Sequence, residues 1–156
     1  MLAAMSPYTA SPLQLHEVGR AYPLVQLLMP SIDRRRWERF ARSFLRQSRR
    51  RGIIAVRDHR GHVRGLAIYR REIDVGGPVL NADPVLFVDL LDASELALAL
   101  IRALEATAWE ADCAALHVNL GEAVERGWRL PEGVAQLETR RRLITSVRRG
   151  AEASYA

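Results

Sequence analysis

The spacing of apolar residues predicts two amphipathic helices in this chain of 156 residues. From Ser94 to Trp109, apolar residues recur every three or four positions, which is the period of a helix that packs one side on a core. A second helix is predicted to begin at a capping Ser31 or Asp33 and to end at Gly52. Its apolar side would consist of Trp37, Phe40, Ala41, Phe44 and Leu45.

Apolar runs rich in β-branched residues predict strands. Two of these runs, Ile53–Val56 and Val63–Ile73, flank the polar turn Asp58-His59-Arg60-Gly61, which is a typical hairpin signal. Val85–Leu91 is the most apolar run, so we expect it to be a central strand. The remaining predicted strands are Leu13–Val18, Ala114–Leu120 and Val134–Ile144.

Shorter signals complete the order of the elements. Tyr22–Met29 is predicted to form a short helix that Pro30 ends, because proline cannot continue the backbone hydrogen bonds. Turns are predicted at Gly76-Gly77-Pro78 and at Asn81-Ala82-Asp83, and one or two helical turns at Glu122–Arg126. Two leading helices, a hairpin and a strand–helix–strand unit predict an α/β (α+β) fold, with a mixed sheet and helices on both faces.

Length and composition are those of one globular domain. We expect a single domain over residues 1–156, with loosely ordered tails at residues 1–12 and 146–156. The lone cysteine, Cys113, excludes an internal disulfide and a cysteine-based metal cage. The N-terminal residues lack the basic and apolar regions of a signal peptide, and no apolar run is long enough for a transmembrane helix. A cytoplasmic location is therefore expected.

Positive charge is concentrated in one element. All 23 basic residues are arginine, and nine of them fall between Ser31 and Arg51, against two acidic residues. That segment therefore carries +7 and the rest of the chain −2. One side of the second helix, which we call the arginine face, consists of Arg35, Arg39, Arg42 and Arg46. This face could bind phosphates of nucleic acid or an acidic carrier protein. The alternative is a solvated outer face, which the predicted lack of exposed aromatic residues favours.

The order of three segments resembles the GNAT superfamily of acetyl-CoA-dependent N-acetyltransferases. The hairpin VRDHRGHVRGLAIYR is similar to the second and third strands of the family, and ALEATAWEADCAALHVNL is similar to its third helix and fifth strand. The run HVNLGEAVERGW places Asn119 and Gly127-Trp128 where the family has an asparagine and a glycine-aromatic pair. This resemblance spans about Leu13 to Ile144. It implies a mostly antiparallel sheet in which one parallel pair, Val85–Leu91 and Ala114–Leu120, splays apart.

One turn departs from the family's pattern. Between its fourth strand and third helix, the family has an Arg/Gln-x-x-Gly-x-Gly/Ala loop whose amides wrap the pyrophosphate of coenzyme A. Here Glu95-Leu96-Ala97 stands where Gly-x-Gly is found, and Asp92 stands near the basic residue. The two carboxylates repel a phosphate, and the Cβ atoms of Leu96 and Ala97 would obstruct its approach. Asp92 or Ser94 can cap the helix instead, so we expect a degenerate loop in which pyrophosphate binding is lost or weakened.

The resemblance also implies roles for individual residues. If acetyl-CoA binds, the implied cofactor-binding residues are Val88, Leu90, Leu91, Ser94 and Asn119. Asp89 stands where some family members have a carboxylate that deprotonates the acceptor amine; the alternative is a solvated carboxylate at a strand end. The proton-donating tyrosine of the family has no counterpart, because no tyrosine lies between Tyr69 and Tyr155.

The histidines carry weaker signals. His117 and Asn119 share one side of a predicted strand and could line a cleft, although a structural histidine is the simpler interpretation. His59 and His62 flank Gly61 in a turn where Asp58 is the nearest carboxylate, which makes a poor metal site.

Two functions remain open from the sequence. The resemblance implies acetyl transfer from acetyl-CoA to a small-molecule or peptide amine, by direct attack within one ternary complex. The alternative is a catalytically inactive GNAT-fold module that engages an anionic partner through the arginine face. No metal and no membrane partner are expected. The acceptor and the oligomeric state, including a homodimer, are left open.

Overall fold

A computed structural model of the chain describes residues 6–46, 50–88, 93–119, 136–139 and 142–146. It contains seven strands and three α-helices in these ranges. In chain order the elements are β1 Thr9–Pro12, a 3-10 helix Leu15–Ala21, α1 Tyr22–Leu28, α2 Arg34–Arg46, β2 Arg51–Arg57, β3 Val63–Asp74, β4 Gly77–Phe87, α3 Ala93–Glu110, β5 Ala115–Asn119, β6 Gln136–Thr139 and β7 Arg142–Ser146.

The strands form one sheet in the order β1-β2-β3-β4-β5-β7-β6. Five of the six neighbouring pairs are antiparallel, and β4 and β5 are parallel. The connection between these two parallel strands contains α3, which is the strand–helix–strand unit that the sequence predicts. The mixed, mostly antiparallel sheet with one parallel pair is therefore confirmed.

Helices cover both faces of the sheet. On one face, α3 packs Leu96, Leu100, Ile101 and Leu104 against buried residues of β2 to β5. On the other face, the 3-10 helix, α1 and α2 pack on a second cluster of buried strand residues. We call these two sides of the sheet the α3 face and the α2 face.

Both long helices begin near the predicted positions. At the start of α2, the carboxylate of Asp33 accepts a hydrogen bond from the backbone N–H of Arg36 at 2.7 Å, so Asp33 is a helix cap. Gly52, predicted to end this helix, lies instead in β2 opposite Tyr69. A Cβ atom at position 52 would overlap the Tyr69 ring and hydroxyl. The glycine is thus explained by a close contact across the sheet.

The first strand is displaced from its predicted position. Leu13–Val18 was expected to be a strand, but β1 is Thr9–Pro12 and the 3-10 helix follows it. Val18 and Ala21, the buried residues of that helix, are three positions apart, which is the 3-10 period. Because β1 pairs with β2, the expected loose tail does not extend to residue 12.

The boundaries of β4 also differ from the prediction. Asn81-Ala82-Asp83 was expected to be a turn, but it lies inside β4, which is longer and begins earlier than Val85–Leu91. In this part of the strand, buried Leu80 and Ala82 alternate with the more exposed Asn81 and Asp83. Turn-forming residue types obscured that alternation.

The C-terminal segment differs in the same way. Val134–Ile144 was expected to be one strand, but β6 and β7 form an antiparallel pair. The predicted helical turns at Glu122–Arg126 and the pair Gly127-Trp128 lie outside the described residues. No helix of the described ranges is long and apolar enough to cross a membrane.

Candidate functional site

The parallel strands part at their carboxyl ends. Their pairing runs from Val79 opposite Ala115 to Ala82 opposite Val118. Beyond this point β4 continues along β3, where Phe87 lies opposite Gly65, while Asn119 pairs with Arg142 of β7. The predicted splayed pair is confirmed, although it is formed by the first half of β4. We call the space between the diverging strand ends the strand opening.

Helix α3 begins close to the strand opening. Its first residue is Ala93, six positions after Phe87, the last residue of β4. The first four backbone N–H groups of a helix have no acceptor within the helix, and they carry a partial positive charge. Ser94 belongs to this first turn, and its role as a coenzyme contact stays a prediction.

The N–H of Val88 is already used by the protein. It donates a hydrogen bond to the backbone carbonyl of Arg64 at 3.0 Å, and the Val88 side chain packs on the α2-face cluster. This amide is therefore not available to a coenzyme. Asp89, Leu90, Leu91 and Asp92 lie outside the described residues, so their roles stay predictions.

Leu96 and Ala97 belong to the core. Leu96 is 0% and Ala97 1% exposed. The Leu96 side chain lies so close to Gly65 that a Cβ atom at position 65 would be 2.9 Å from it. Because both side chains point to the sheet, the argument that they obstruct a coenzyme is weakened. The exposed Glu95 is the described residue on which the expectation of weak pyrophosphate binding still rests.

On the other side of the strand opening, β5 presents polar residues to the α2 face. Leu116 and Val118 are buried in the α3-face cluster, whereas His117 is half-buried and Asn119 exposed. Alternation along the strand thus places His117 and Asn119 on one side, as predicted.

The β2–β3 turn is held by a single carboxylate. Asp58 accepts hydrogen bonds from the backbone N–H groups of Arg60 and His62 at 2.9 and 3.0 Å, and from the guanidinium of Arg64 at 3.0 Å. Burial alone raises the pKa of Asp58, but these hydrogen bonds outweigh it and hold the pKa at about 2. Gly61 has a φ of 83°, which glycine adopts without strain. The predicted hairpin is confirmed.

Beside this turn lies an open groove with a basic lining. The groove, which we call the basic groove, is lined by Arg20, Pro23, Arg60, Gly61, His62, Val63 and Arg64. Sequence patterns did not indicate this groove, because Arg20 belongs to the 3-10 helix, about 40 positions before the hairpin residues. Within the described ranges, no group of three or more His, Cys, Asp or Glu residues could hold a metal ion.

The arginine face is exposed along α2. Arg35, Arg39, Arg42 and Arg46 are exposed, and no ion pair or hydrogen bond of their side chains is found in the described residues. By contrast, Arg34 pairs with Glu38 at 3.5 Å. Phe40 is 39% exposed and stacks on Phe44 with ring centroids 5.3 Å apart. The expectation that all aromatic residues of α2 are buried is therefore wrong for Phe40.

Two other reactive groups, Cys113 and Tyr69, have shifted pKa values. The Cys113 thiol is buried, and burial raises its pKa although the nearby Arg71 lowers it. Burial, and then the carboxylate of Glu110, raise the pKa of Tyr69. Tyr69 lies in the middle of β3, opposite Gly52 of β2 and Ala82 of β4.

Known proteins match this fold but not this sequence. No protein-family profile matches the sequence, and no curated protein matches it. A spermidine N-acetyltransferase chimera from Vibrio cholerae and hSSAT has a TM-score of 0.66 at 13% identity, covering 91% of this chain and 96% of its own. An aminoglycoside N-acetyltransferase in complex with CoA has a TM-score of 0.65 at 14% identity, covering 90% and 99%.

A third solved structure is a ribosomal-protein-alanine N-acetyltransferase from Brucella melitensis, with a TM-score of 0.60 at 18% identity. It covers 85% of this chain and 98% of its own. Identities this low establish the fold alone. The architecture, the parallel pair and its divergence agree with these comparisons, and the chain therefore has the fold of the GNAT superfamily of N-acetyltransferases.

Proposed function

We propose that this protein transfers an acetyl group from acetyl-CoA to a primary amine of a small molecule or peptide. The observation that carries the proposal is the strand opening, where β4 and β5 diverge beside the N-terminus of α3. Proteins with this fold include N-acetyltransferases of spermidine and aminoglycosides, one of them in complex with CoA. A thioester lying in this opening could contact strand-end backbone groups and the first turn of the helix.

The chemistry is direct attack within a ternary complex. The amine nitrogen bonds to the thioester carbonyl carbon, and the carbon–sulfur bond breaks after a tetrahedral intermediate. Asp89 is proposed to accept the proton that the amine loses. No tyrosine lies between Tyr69 and Tyr155, so the thiolate takes its proton from water or from another group. Positioning both reactants supplies much of the rate enhancement in such a mechanism.

Donor binding is expected to depend little on the pyrophosphate. Asp92 and Glu95 place negative charge beside the helix N-terminus, where the pyrophosphate of coenzyme A lies in the family. We therefore expect acetyl-CoA to bind mainly through its pantetheine arm and thioester. Acetyl-pantetheine, which lacks the pyrophosphate, should then bind with similar affinity.

Thermal shift separates these contributions. A ligand at a hundredfold excess over its Kd stabilises a protein by about 2.7 kcal/mol, or roughly 5–10 °C for a chain of this size. We expect small and equal shifts with acetyl-CoA and acetyl-pantetheine. The variant D92R/E95G/A97G should gain a shift with acetyl-CoA alone, at a cost of about 1 kcal/mol for each glycine. A large shift of the wild type with acetyl-CoA only would show that the turn binds pyrophosphate.

Turnover tests the proposed base. With acetyl-CoA and a panel of amines, Asp89→Asn should lower kcat at least tenfold and leave the Kd of acetyl-CoA and the Tm unchanged. If the Asp89→Asn variant is as active as the wild type, Asp89 is not the base, and the alternative interpretation as a solvated carboxylate holds. Absence of acetylation of every amine by the wild type would reject acyl transfer itself.

A second function is favoured by the arginine face. Four exposed guanidiniums, for which no ion pair is found in the described residues, span about 16 Å of helix, and Phe40 of the same helix is partly exposed. We propose that a catalytically inactive module would use this face to bind a polyanion. Duplex DNA and heparin are suitable probes. For DNA, the logarithm of the binding constant should fall linearly with the logarithm of the salt concentration, with a slope of about 0.9 for each phosphate neutralised. Absence of binding at low salt would leave a solvated face.

A further inference from the structure

We propose that the basic groove binds a phosphate group of the acceptor, so that the substrate class is a phosphorylated amine. This inference rests on the proposed acyl transfer. Three guanidiniums, those of Arg20, Arg60 and Arg64, line the groove together with His62. Arginine binds phosphate through two parallel hydrogen bonds, which gives both strength and orientation.

Among the described residues, the groove carries more positive than negative charge. Arg64 shares the carboxylate of Asp58, which also lies 3.6 Å from His62. The side chains of Arg20 and Arg60 make no ion pair in the described residues. In the part of the chain that the structure describes, three guanidiniums against one carboxylate give a net charge of +2, which matches a phosphate monoester dianion better than a carboxylate.

Both walls of the groove are held in place. The Glu17 carboxylate accepts hydrogen bonds from Arg57 Nε and Nη2 at 3.1 and 2.8 Å, and the two side chains are 13% and 15% exposed. Glu17 precedes Arg20 by three residues, and Arg57 precedes Arg60 by three. This ion pair therefore ties the 3-10 helix to β2 directly behind the groove, which lowers the entropy cost of binding an anion.

The second wall is the β2–β3 turn. Asp58 orders it through its side-chain hydrogen bonds, and its backbone N–H donates to the His62 carbonyl at 3.0 Å. Arg60 and Arg64 thus project from an ordered turn. The two arginines are presented without a large rearrangement of the chain.

The groove adjoins the end of β4. The Arg64 carbonyl accepts the hydrogen bond from the Val88 N–H at 3.0 Å, and Val88 immediately precedes Asp89. Pro23 and Val63 place the groove on the α2 face of the sheet. A compact amine with a phosphate in the groove would therefore have its nitrogen directed along the end of β4. Phosphates of coenzyme A share this chemistry, so the test must separate the two sources.

Binding is measured first, without reference to turnover. The full chain is titrated with O-phosphoethanolamine, ethanolamine and inorganic phosphate while the Nε–Hε resonances of its arginines are followed by NMR. We expect saturable shifts at Arg20, Arg60 and Arg64 with the two phosphates and none with ethanolamine. R20Q/R60Q should weaken binding at least tenfold, which is about 1.4 kcal/mol, whereas the matched variant R102Q, on the exposed side of α3, should bind normally.

Turnover then identifies the source of the phosphate. Phosphorylated amines should be acetylated with a lower KM than their unphosphorylated counterparts, and R20Q/R60Q should remove that difference without changing the KM of acetyl-CoA. If R20Q/R60Q instead raises the KM of acetyl-CoA, the groove binds a phosphate of the coenzyme and the inference is overturned. Shifts spread evenly over all arginines would also overturn it.

Failure of the two proposals can be told apart. Phosphate-selective binding without acetylation of any amine would reject acyl transfer and leave an anion site. Acetylation of amines without any preference for a phosphate would reject the anion site and leave acyl transfer.

Discussion

Helices α2 and α3 cover opposite faces of the same sheet, but they are attached to it in different ways. Helix α3 buries a row of large aliphatic residues, and several alanines between them are half-buried. Helix α2 buries Trp37, Ala41 and Phe44, and its outer side is the arginine face. One helix is therefore apolar around most of its circumference, and the other is divided sharply into an apolar and a charged side.

This difference decides what each helix can contribute to function. In α3, Leu96 is both a core residue and part of the turn that begins at the strand opening. Changes that would make the turn accept a phosphate therefore also disturb the core. In α2, stability and charge lie on opposite sides, so each can be changed without the other.

The helices of the α2 face also depend on polar contacts. The indole N–H of Trp37 donates to the Val18 carbonyl at 2.8 Å, and Glu17 pairs with Arg57. The described core of the α3 face is built from apolar side chains and Cys113. Burial raises the pKa of Glu105 in α3, whereas the pKa of Glu17 is lowered, so we expect acid to weaken the α2 face before the α3 face.

The largest expected effect comes from removing a buried leucine of α3. Leu104→Ala should lower the free energy of unfolding by about 3 kcal/mol, because Leu104 is fully buried and the cavity adds to the lost burial. Urea unfolding measures this change. The exposed neighbour R102A is the control, and its expected change is within about 0.5 kcal/mol. If L104A and R102A lower the free energy of unfolding by similar amounts, α3 is not held to the sheet by its buried leucines.

A smaller loss is expected on the inner side of α2. Trp37→Phe keeps an aromatic ring but removes the hydrogen bond to the buried Val18 carbonyl, which should cost about 2 kcal/mol. The same urea experiment applies, with Phe40→Leu as a control at a partly exposed position. A loss from F40L as large as that from W37F would show that the α2 attachment is not centred on Trp37.

The pH dependence of the α2 face should come from Glu17. Burial raises its pKa, but the hydrogen bond and charge of Arg57 and the Gln14 N–H outweigh burial, so the pKa is lowered overall from 4.5. The stabilisation is therefore complete above about pH 4.5 and is lost as the pH falls through the lowered pKa. Glu17→Gln should lower the free energy of unfolding by about 1–2 kcal/mol at neutral pH and by much less in acid.

Hydrogen exchange locates this effect. Exchange rates of backbone amides are first corrected for their intrinsic dependence on pH. As the pH of the wild type is lowered, the corrected rates should rise in the 3-10 helix and α2 before they rise in α3. In E17Q the two faces should keep their relative protection as the pH falls. Equal acid sensitivity of both faces in the wild type would contradict the comparison.

The smallest effect is expected on the arginine face. Replacing Arg35, Arg39, Arg42 and Arg46 by glutamine should change the free energy of unfolding by less than about 0.5 kcal/mol, because the side chains are exposed and form no ion pair with any residue that the structure describes. Circular dichroism and urea unfolding test this at low salt, where relief of repulsion among the arginines would be largest. A loss above 1 kcal/mol would show that these arginines stabilise the fold.

Local patterns predicted the elements whose signals lie within a few turns of chain. The 3.6-residue period located α2 and α3, and the turn at Asp58 located the β2–β3 hairpin. Predictions failed where a distant contact decided the structure. Gly52 looked like the end of a helix, but its partner Tyr69 lies 17 residues away and across a strand pair.

The same distinction between local patterns and distant contacts applies to the candidate site. The sequence located a strand-to-helix turn and a residue, Asn119, at the strand end beside it, although the residues from Asp89 to Asp92 lie outside the described ranges. It could not indicate that Val88 is already bonded to Arg64, because that hydrogen bond crosses from β4 to β3.

The sequence by itself determined the three α-helices, the hairpin and the charge of α2, because each depends on residues that are neighbours along the chain. Tertiary structure decided where β4 begins, where it parts from β5, and which arginines meet in the basic groove. Arg20 and Arg60 are separated by 40 positions and brought together only when the 3-10 helix packs on β2 through Glu17 and Arg57. Sequence periodicity is a local property, whereas the proximity of Arg20 and Arg60 depends on the pairing of distant elements around a shared core.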